Sequence, residues 1–428
     1  MVPHLVTALS GPINELEQRV LDSMPAIERW FRLEWMEHTP PFYTSVDVRN
    51  AGFKLAPLNA NLFPSAWHNL SPEVLPLAVQ AAMAAIEKIC PEARNLLIVS
   101  DSNVHSTFYL SNLAQLQQIF HMAGLNVRIG SISPEVKTTT PIELPDGRAF
   151  NIEPVTRANG RIGVAHFDPC TILLNNDLHT GVPGILEDLH QQHLLPPLHA
   201  SATIRRKSNL YKAYEELAKR FGKLIGIDPW LINPMLEHLN GVDTAAEHDI
   251  VTLADATDAM LSKIKRRYKE FGIKEKPFVV VKLEHGRQGS GTMTVQDPKQ
   301  LASTLQRTMS KQSGVSSVQD ILIQEGVLTH ERMHDAVAEP VVYLMDRYVV
   351  GGFYRVHAHS GVQDDVKLTD STYVPLAFAE TTRLPQPGTR PGVSAPNRFY
   401  MYGVIARLAS LAASYELEAT DPDAELMD

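Results

Sequence analysis

The pattern of apolar and polar positions predicts an N-terminal half built from helices and a parallel sheet. Apolar residues recur at helical spacing over residues 13–38, with an interruption near Pro25, and again over residues 76–89. A strand, a helix and a strand follow at residues 95–100, 107–122 and 126–129. This βαβ order predicts parallel pairing. The polar sequence of residues 39–70 predicts a loop. The turn-rich sequence of residues 131–160 predicts a β excursion, and the sequence of residues 171–175 predicts a short strand.

The second half has a different pattern and follows a boundary predicted at Pro196-Pro197. It begins with a basic cluster at the start of a long helix that reaches Ile225. Helices are predicted at 253–271, 301–309 and 399–415, and strands at 278–281, 292–295, 321–327, 341–345 and 348–356. Residues 380–397 are rich in Pro and Gly, which predicts a loop.

Residues 278–295, FVVVKLEHGRQGSGTMTV, form the most informative stretch of the chain. An apolar strand ends in Lys282, a loop with Gly286, Gly289 and Gly291 follows, and a second strand begins. Glycines let a backbone approach a phosphate closely, and the lysine adds a compact positive charge. The pattern favours a lid over the triphosphate of ATP, and the alternative is a β-hairpin whose glycines form the turn. Neither a Walker A loop nor a dinucleotide fingerprint fits the glycine spacing.

Composition and charge narrow the possible functions. A chain of 428 residues is expected to form two or three domains. The formal net charge is −9 without a long basic block, which disfavours general nucleic-acid binding. Residues 1–20 do not resemble a secretory signal and no apolar run is long enough to cross a bilayer, so a cytoplasmic protein is expected. Cys90 and Cys170 are far apart in the sequence, so neither a disulfide framework nor a cysteine-based zinc site is expected.

Two histidine motifs suggest metal binding, but each lacks a further ligand. Residues 330–334 read HERMH and match HExxH, which on a helix places two imidazoles on one face for zinc. Val337 and Pro340 do not fit the extended form of this motif, so a short surface helix is the favoured interpretation. His357 and His359 would share one face of a strand, and a solvated or core pair is favoured there.

Seven segments follow one another between residues 45 and 379: SVDVRNAGFKLAPLNANLF, NNDL, RRKS, IGIDPWLINP, PFVVVK, QEGV and DAVAEPVVYLMDRYVVGGFYRVH. Together they resemble the proteobacterial ATP-grasp type of glutamate–cysteine ligase. The glycine loop departs from the family pattern, which is close to ADAGTYGMG, because this chain has LEHGRQGSG at residues 283–291. The three glycines stay in register and Lys282 is retained, whereas Glu284 and Gln288 differ from the family. A preserved phosphate cradle with altered side chains is therefore expected.

The resemblance implies a fold of mixed α/β and α+β class, ATP-grasp-like, with an N-terminal βαβ pre-ATP-grasp domain. Residues 1–198 would form this α/β substrate domain, and residues 199–428 the ATP-grasp domain with its lid around 278–295. The implied reaction uses ATP and Mg²⁺ to join the γ-carboxyl group of L-glutamate to L-cysteine through an acyl phosphate, as the first step of glutathione biosynthesis. A ligase for another amino-acid pair and a non-catalytic nucleotide-binding homologue remain alternatives. The expected partners are these small molecules, with no nucleic acid and no membrane.

The resemblance also implies which residues form the site. Lys282 would contact the α- or β-phosphate, and Arg355 would stabilise the charge that develops on the acyl phosphate. Further nucleotide contacts would come from Gly286, Gly289, Gly291, Gln324, Glu325 and Gly326. The charged ends of the amino-acid substrates need opposite charges, for which the candidates are Arg49, Lys54, Asn61, Asn175, Asp177, Arg205 and Arg206. The magnesium ligands are less defined, with Glu339 and Asp346 as candidates, followed by Asp364 and Asp365.

Overall fold

The computed structural model describes residues 5–6, 11–101, 106–189, 191–284, 292–301, 318–333, 335–357, 371–376, 398–422 and 424. Within these ranges the strands form sheets of seven, six, four and two strands. Several predicted features lie outside the described residues: the three lid glycines, most of the helix at 301–309, the loop at 380–397, His334, His359, Asp364 and Asp365. Among the described helices, none is both long enough and apolar enough to span a membrane.

The helices are α1 (Pro12–Asp22), α2 (Met24–Glu37), α3 (Leu75–Ile89), α4 (Thr107–Met122), α5 (Lys207–Ile225), α6 (Glu247–Glu270) and α7 (Phe399–Ala419). The strands are β1 (Leu5–Val6), β2 (Tyr43–Asn50), β3 (Leu55–Asn61), β4 (Asn95–Ser100), β5 (Asn126–Ser131), β6 (Thr140–Glu143), β7 (Ala149–Pro154), β8 (Thr156–Ala158), β9 (Arg161–Gly163), β10 (Thr171–Asn175), β11 (His193–Leu195), β12 (Leu236–Asp243), β13 (Val279–Leu283), β14 (Met293–Val295), β15 (Val318–Glu325), β16 (Arg332–Met333), β17 (Ala336–Met345), β18 (Tyr348–His357) and β19 (Thr372–Pro375).

The six-stranded sheet contains the predicted βαβ unit. Its order is β11-β10-β4-β5-β7-β6, and β4 pairs in parallel with both β5 and β10, which confirms the parallel pairing. Helices α3 and α4 pack on one face, and the other is covered by Ile162, Val164, Leu178, Leu186 and Leu189. A strand that is covered on both faces needs apolar residues at successive positions, and this explains the continuous apolar run in β4.

The seven-stranded sheet corrects the prediction of a loop at residues 39–70. Strands β2 and β3 form a hairpin there, and β2 also pairs antiparallel with β17. Side chains alternate along β2, so Val46 and Val48 enter the core while Asp47 and Arg49 point to the opposite face. This sheet joins strands from both sides of residue 198, so a cut at that position would separate hydrogen-bonded strands.

Both faces of the seven-stranded sheet are packed. Along β17, Val342 and Leu344 contribute to a core with α1, α2, α5 and α7, whereas Val341 and Tyr343 contribute to a second core with α3 and α4. The C-terminal helix α7 is therefore buried as part of the first core. This agrees with the apolar stripe at 399–415 in the sequence.

The four-stranded sheet has the order β12-β15-β13-β14, with all of its pairs antiparallel. Strands β13 and β14 confirm the hairpin predicted on either side of the glycine loop. Helix α6 packs against this sheet through Met260 and Ile264. Strand β12 was not predicted, because its sequence LEHLNGVD alternates only weakly.

A buried ion pair connects the β2–β3 hairpin to the four-stranded sheet. Lys54 Nζ lies 3.0 Å from Glu325 Oε2, and both side chains are almost completely buried. Lys54 also donates to the carbonyl of Asn233 (3.1 Å) and lies 4.1 Å from the centre of the Trp230 ring. Glu325 in turn accepts from Trp230 Nε1 and from the backbone N–H of Met235. Burial lowers the pKa of Lys54 to about 8, although Glu325 opposes the shift.

This pair predicts a large effect on stability. Replacing Lys54 by Met should lower the free energy of unfolding by about 3–5 kcal/mol, because Glu325 would be left as an unpaired buried charge. Denaturant unfolding measures this difference. The matched control is Lys219→Met, which breaks a solvent-exposed pair with Glu215 on α5 and should change stability by at most about 1 kcal/mol. Equal effects of the two substitutions would contradict the role given to the Lys54–Glu325 pair.

Candidate active site

A cluster of charged side chains lies on one face of the seven-stranded sheet. It comprises Asp47 and Arg49 of β2, Glu339 of β17, and Arg355 and His357 of β18, and we call it the arginine–carboxylate cluster. The strand register explains it, because Glu339 is paired with Arg355 and Asp47 is paired with Val341, two residues from Glu339. Residues two apart on a strand share a face, so these side chains point the same way.

Glu339 is the centre of this cluster. Its carboxylate forms ion pairs with Arg49 and with Arg355 (3.1 Å), and it lies within hydrogen-bond distance of the ring of His357 (3.2 Å). Arg355 also lies 2.9 Å from Asp47 Oδ1. Burial, together with the neighbouring Arg355, lowers the pKa of Arg49 to about 10. Two guanidinium groups are therefore held side by side by two carboxylates.

The protonation state of His357 follows from its surroundings. Burial and the nearby Arg355 and Arg49 lower its pKa to about 4, so the ring is neutral at neutral pH. Its Nε2 lies 3.2 Å from the Glu339 carboxylate, and its Nδ1 lies 3.3 Å from Ser371 Oγ. A carboxylate can only accept, which places the ring proton on Nε2. His357 therefore orients Glu339 without adding charge.

A pair of lysines comes from the four-stranded sheet and from α5. Lys282 is on β13 and donates to Gln324 Oε1 of β15 (2.6 Å), and its ammonium lies 5.8 Å from the centre of the Tyr211 ring. Lys207, at the start of α5, donates to the carbonyl of Leu283 (3.0 Å). Burial, Lys207 and Arg49 lower the pKa of Lys282 to about 7. Burial lowers the pKa of Lys207 to about 8, opposed by Glu284.

These electrostatic effects show that the lysines and the arginine–carboxylate cluster share one region. Arg49 on β2 acts on Lys282, and Asp47 on β2 acts on the buried Tyr211 of α5. The region therefore lies where the four-stranded sheet, the seven-stranded sheet and α5 meet. Like charges raise one another's free energy, and a bound anion would relieve this repulsion.

Several predicted site residues have other partners in the structure. Arg205 binds Glu416 of α7 through several contacts (2.7–3.0 Å) and donates to the carbonyl of Ala60. Arg206 pairs with Asp320 at 3.0 Å on the surface. Asn61 Oδ1 accepts from the backbone N–H of Phe63. The contacts of Arg205 join the segment before α5 to α7 and β3, that of Arg206 joins it to β15, and that of Asn61 is local.

The polar residues after β10 also have partners within the protein. The buried Asn175 donates to Tyr43 Oη and to the carbonyl of Pro64, and accepts from Asn112. Asp177 accepts from the backbone and the ring of His179. Both lie at the carboxyl end of β10 in the six-stranded sheet.

The QEG segment at residues 324–326 combines site and packing roles. The side chain of Gln324 bonds Lys282, whereas that of Glu325 is engaged by Lys54. Gly326 is required by close packing, because a Cβ there would lie 2.1 Å from the ring of Phe278. Within residues 324–326, it is therefore the side chain of Gln324 that contacts the lysine pair, through its hydrogen bond with Lys282.

The two candidate magnesium ligands are far apart. Glu339 and Asp346 are seven residues apart near opposite ends of β17, which corresponds to about 23 Å along an extended strand. Asp346 lies in the β17–β18 turn, 3.6 Å from Lys88. One ion therefore cannot bind both. Within the described ranges, no group of three or more His, Cys, Asp or Glu side chains is arranged to hold a metal.

The HExxH match is not on a helix. Residues 326–331 are irregular, Arg332–Met333 form β16, and the predicted surface helix is wrong. The backbone N–H of His330 donates to the carbonyl of Asn50. Glu331 is buried and accepts from Tyr402 Oη at 2.6 Å. The residue that the motif assigns as a base is therefore part of the contact between this segment and α7.

Sequence reasoning missed Asp47, Lys207 and Tyr211. Asp47 stands beside Arg49 in a segment that was interpreted as a loop, and recognising its alternating pattern would have placed both on one face. Lys207 belongs to the RRKS segment, whose charge was assigned to Arg205 and Arg206 instead. For Tyr211, a residue on the buried face of α5, the sequence carries no signal.

The cation-rich region of this mixed α/β protein, where two sheets meet, is suited to binding an anionic ligand. The sequence model of the family GshA, glutamate-cysteine ligase, matches residues 17–417, and the chain belongs to this family. It is an ATP-using ligase that joins glutamate to cysteine in glutathione synthesis.

A solved structure supports this assignment. The chain is 48% identical to a protein from Methylobacillus flagellatus KT to which gamma-glutamylcysteine synthetase activity is attributed, with a TM-score of 0.91 over 98% of this chain and 100% of that one. Two further structures are remote. D-alanyl-alanine synthetase A from Vibrio cholerae has a TM-score of 0.34 at 12% identity (66% and 73% covered), and a glutathione synthetase-like effector from Globodera pallida has 0.39 at 11% (87% and 89% covered). These two scores are too low to carry an argument. No curated protein matches the chain.

The HExxH geometry generates a prediction about zinc. Replacing His330 and His334 together by Ala should leave ligase turnover nearly unchanged, because His330 is in irregular backbone and Glu331 is bound to Tyr402. Steady-state kinetics and metal analysis of the purified protein test this. Loss of turnover in the double variant, combined with one zinc per chain in the parent protein, would contradict it.

Proposed function

We propose that the region between the two sheets is the active site, where ATP phosphorylates the γ-carboxyl group of glutamate and the amine of cysteine displaces the phosphate. The observation that carries this proposal is the proximity of Lys282, on the four-stranded sheet, to Arg49 of the arginine–carboxylate cluster, on the seven-stranded sheet. A carboxylate does not react with an amine at neutral pH because its leaving group is poor. Positioning and charge neutralisation are therefore the main catalytic tasks.

In this proposal the four-stranded sheet with α6 is the nucleotide-binding lobe of an ATP-grasp-like fold. Residues 199–428 supply that fold, completed by the β2–β3 hairpin, and the remaining N-terminal residues supply the pre-ATP-grasp substrate domain. The glycine loop between β13 and β14 would cover the phosphates through the backbone at Gly286, Gly289 and Gly291. Gln324 would contribute to the nucleotide site through its bond to Lys282.

Lys282 would contact a phosphate of ATP. Its pKa of about 7 means that the free enzyme holds this lysine partly neutral, because of burial and the nearby Lys207 and Arg49. A phosphate next to the ammonium group favours the charged form and raises the pKa again. ATP binding at mildly alkaline pH would therefore take up a proton at Nζ.

Arg355 and Arg49 would bind the acyl phosphate and the glutamate carboxylate. Each guanidinium is fixed by carboxylates on one side, and it keeps further N–H donors for a ligand because it has five. Charge on the transferring phosphoryl group is spread over several oxygens, and a planar guanidinium can contact two of them at once. Arg355 would thus act in the transition state, while Glu339 and His357 position it.

Magnesium would bind at the carboxylates of this region. Mg²⁺ commonly uses one or two protein carboxylates together with phosphate oxygens. Asp47 and Glu339 would be the ligands, because they are the two carboxylates of the cluster and lie on one sheet face. The ion would supply charge neutralisation on the phosphates.

The first test concerns Lys282. Replacing it by Ala should weaken ATP binding roughly 10- to 150-fold, since a charge-assisted contact contributes about 1.5–3 kcal/mol. For the parent protein, ATP affinity should fall as the pH rises above about 7, because the lysine must be protonated to bind. Calorimetry at mildly alkaline pH in buffers of different ionisation enthalpy should detect proton uptake in the parent and its loss in Lys282→Ala.

A matched control is Lys263→Ala, which removes a half-exposed lysine of α6 that pairs with Glu237 at 3.7 Å. This variant should keep both the ATP affinity and the proton uptake. An unchanged dissociation constant in Lys282→Ala would remove Lys282 from the nucleotide site.

The second test concerns Arg355. Replacing it by Lys should lower turnover about 10²-fold while ATP binding changes little, because lysine keeps the charge but loses the fork that contacts two oxygens. Steady-state kinetics at saturating glutamate and cysteine measure turnover, and calorimetry measures ATP binding separately. A larger effect on turnover than on binding indicates a transition-state role.

Arg347→Lys is the control for this substitution, because Arg347 is an exposed residue in the β17–β18 turn that bonds Tyr348. It should behave like the parent protein. If Arg355→Lys also kept parental turnover, the active site would have to lie elsewhere.

A further inference from the structure

The two cysteines of the chain are neighbours in space, although they are 80 residues apart in the sequence. The Sγ atoms of Cys90 and Cys170 are 3.4 Å apart, and the thiol of Cys90 donates to Cys170. Cys90 directly follows α3, and Cys170 directly precedes β10. The fold thus brings together two cysteines that the sequence separates, because the end of α3 lies beside the start of β10.

The surroundings of the pair permit reaction at both sulfur atoms. Both residues are free thiols and partly exposed to solvent. The backbone holds each residue in place, because Cys90 N–H donates to the carbonyl of Ile86 (2.8 Å) and the carbonyl of Cys170 accepts from His193 N–H (2.8 Å). The sulfur atoms would have to approach by about 1.4 Å to reach the bonding distance of a disulfide.

We propose that Cys90 and Cys170 form a dithiol site that is oxidised reversibly to a disulfide by exchange with small-molecule disulfides. Cystine is a fitting oxidant, because it is the oxidised form of the cysteine that this ligase consumes. The site is separate from the arginine–carboxylate cluster and does not depend on the roles proposed for Lys282 and Arg355.

The exchange proceeds in two steps. The thiolate of one protein cysteine attacks a sulfur of cystine, so that a mixed disulfide forms, the S–S bond of cystine breaks, and one cysteine leaves as a thiol. The second protein thiolate then attacks the sulfur of its neighbour in the mixed disulfide and releases the second cysteine. Two protein thiols are oxidised, one cystine is reduced to two cysteines, and each departing thiolate takes up the proton that a protein thiol released.

The disulfide would join the end of α3 to the start of β10 and close a loop of 80 residues. Closing a loop of this length restricts the unfolded chain, so the oxidised protein should unfold at a higher temperature than the reduced one, by roughly 4–8 °C. The bond would form at the amino end of β10 in the six-stranded sheet, whereas the arginine–carboxylate cluster lies on the seven-stranded sheet. Oxidation should therefore leave ligation turnover unchanged.

The experiment treats the full-length protein with cystine at mildly alkaline pH and follows free thiols, intact mass and the thermal midpoint. The parent protein should lose both thiols and the mass of two hydrogen atoms, without a retained cysteinyl group, and a dithiol reductant should reverse this. Cys90→Ser and Cys170→Ser are the matched controls. Each should keep one cysteinyl group as a stable mixed disulfide and show no rise in thermal midpoint.

Three results would overturn the proposal. The parent protein could keep both thiols under these conditions, it could hold a cysteinyl group on each cysteine, or it could form a disulfide between two chains. Intact mass and non-reducing electrophoresis distinguish these results from the internal disulfide. The serine variants replace partly exposed thiols, and the reduced parent protein provides the reference for their folding.

Discussion

The antiparallel pairing of β2 with β17 is the constraint on which the site depends. It brings Asp47 and Arg49, from the first part of the chain, beside Glu339 and Arg355, from nearly 300 residues later. A slip of one residue in this pairing would move Asp47 and Arg49 to the opposite face and bring Val46 and Val48 out of the core. The burial of these valines therefore fixes the register, and the register places the charges.

The positive charges of this region are not equally neutralised by their neighbours. Glu339 and Asp47 neutralise two guanidinium groups, which keeps the arginines charged and oriented in spite of their burial. The charge of Lys282 is less well neutralised. Its hydrogen-bond partner is the neutral amide of Gln324, and its charged neighbours, Lys207 and Arg49, are also positive. In the free protein these like charges therefore repel one another, and an anionic substrate would remove this repulsion. In the proposed site, binding of the substrate and protonation of Lys282 would be coupled for this reason.

The sequence predicted those parts of the fold in which local pattern and tertiary packing agree. The buried strands at 95–100 and 171–175, the helix ending at Ile225 and the hairpin around the glycine loop are of this kind. The β2–β3 hairpin was missed because its polar residues are balanced by partners on β17 and β18, which no local window contains. The surface helix predicted at the HExxH motif was wrong for the same reason, because this segment is bound by Asn50 of β2 and by Tyr402 of a distant helix. Residue types alone therefore locate candidates, and long-range pairing decides their roles.

The comparison of two lysines shows why the rest of the site could not be predicted from residue type. Lys54 and Lys282 both occur in segments that resemble the ligase family, and both are surrounded by protein. Lys54 has a carboxylate partner in Glu325, an indole face in Trp230 and a backbone carbonyl, so its charge is satisfied within the fold. Among the described residues, no carboxylate forms an ion pair with Lys282. A partly buried ammonium group whose hydrogen-bond partner among the described residues is neutral is unfavourable in the empty protein. In the proposed site it is therefore the lysine at which an incoming phosphate would gain the most, whereas removing Lys54 would affect folding first.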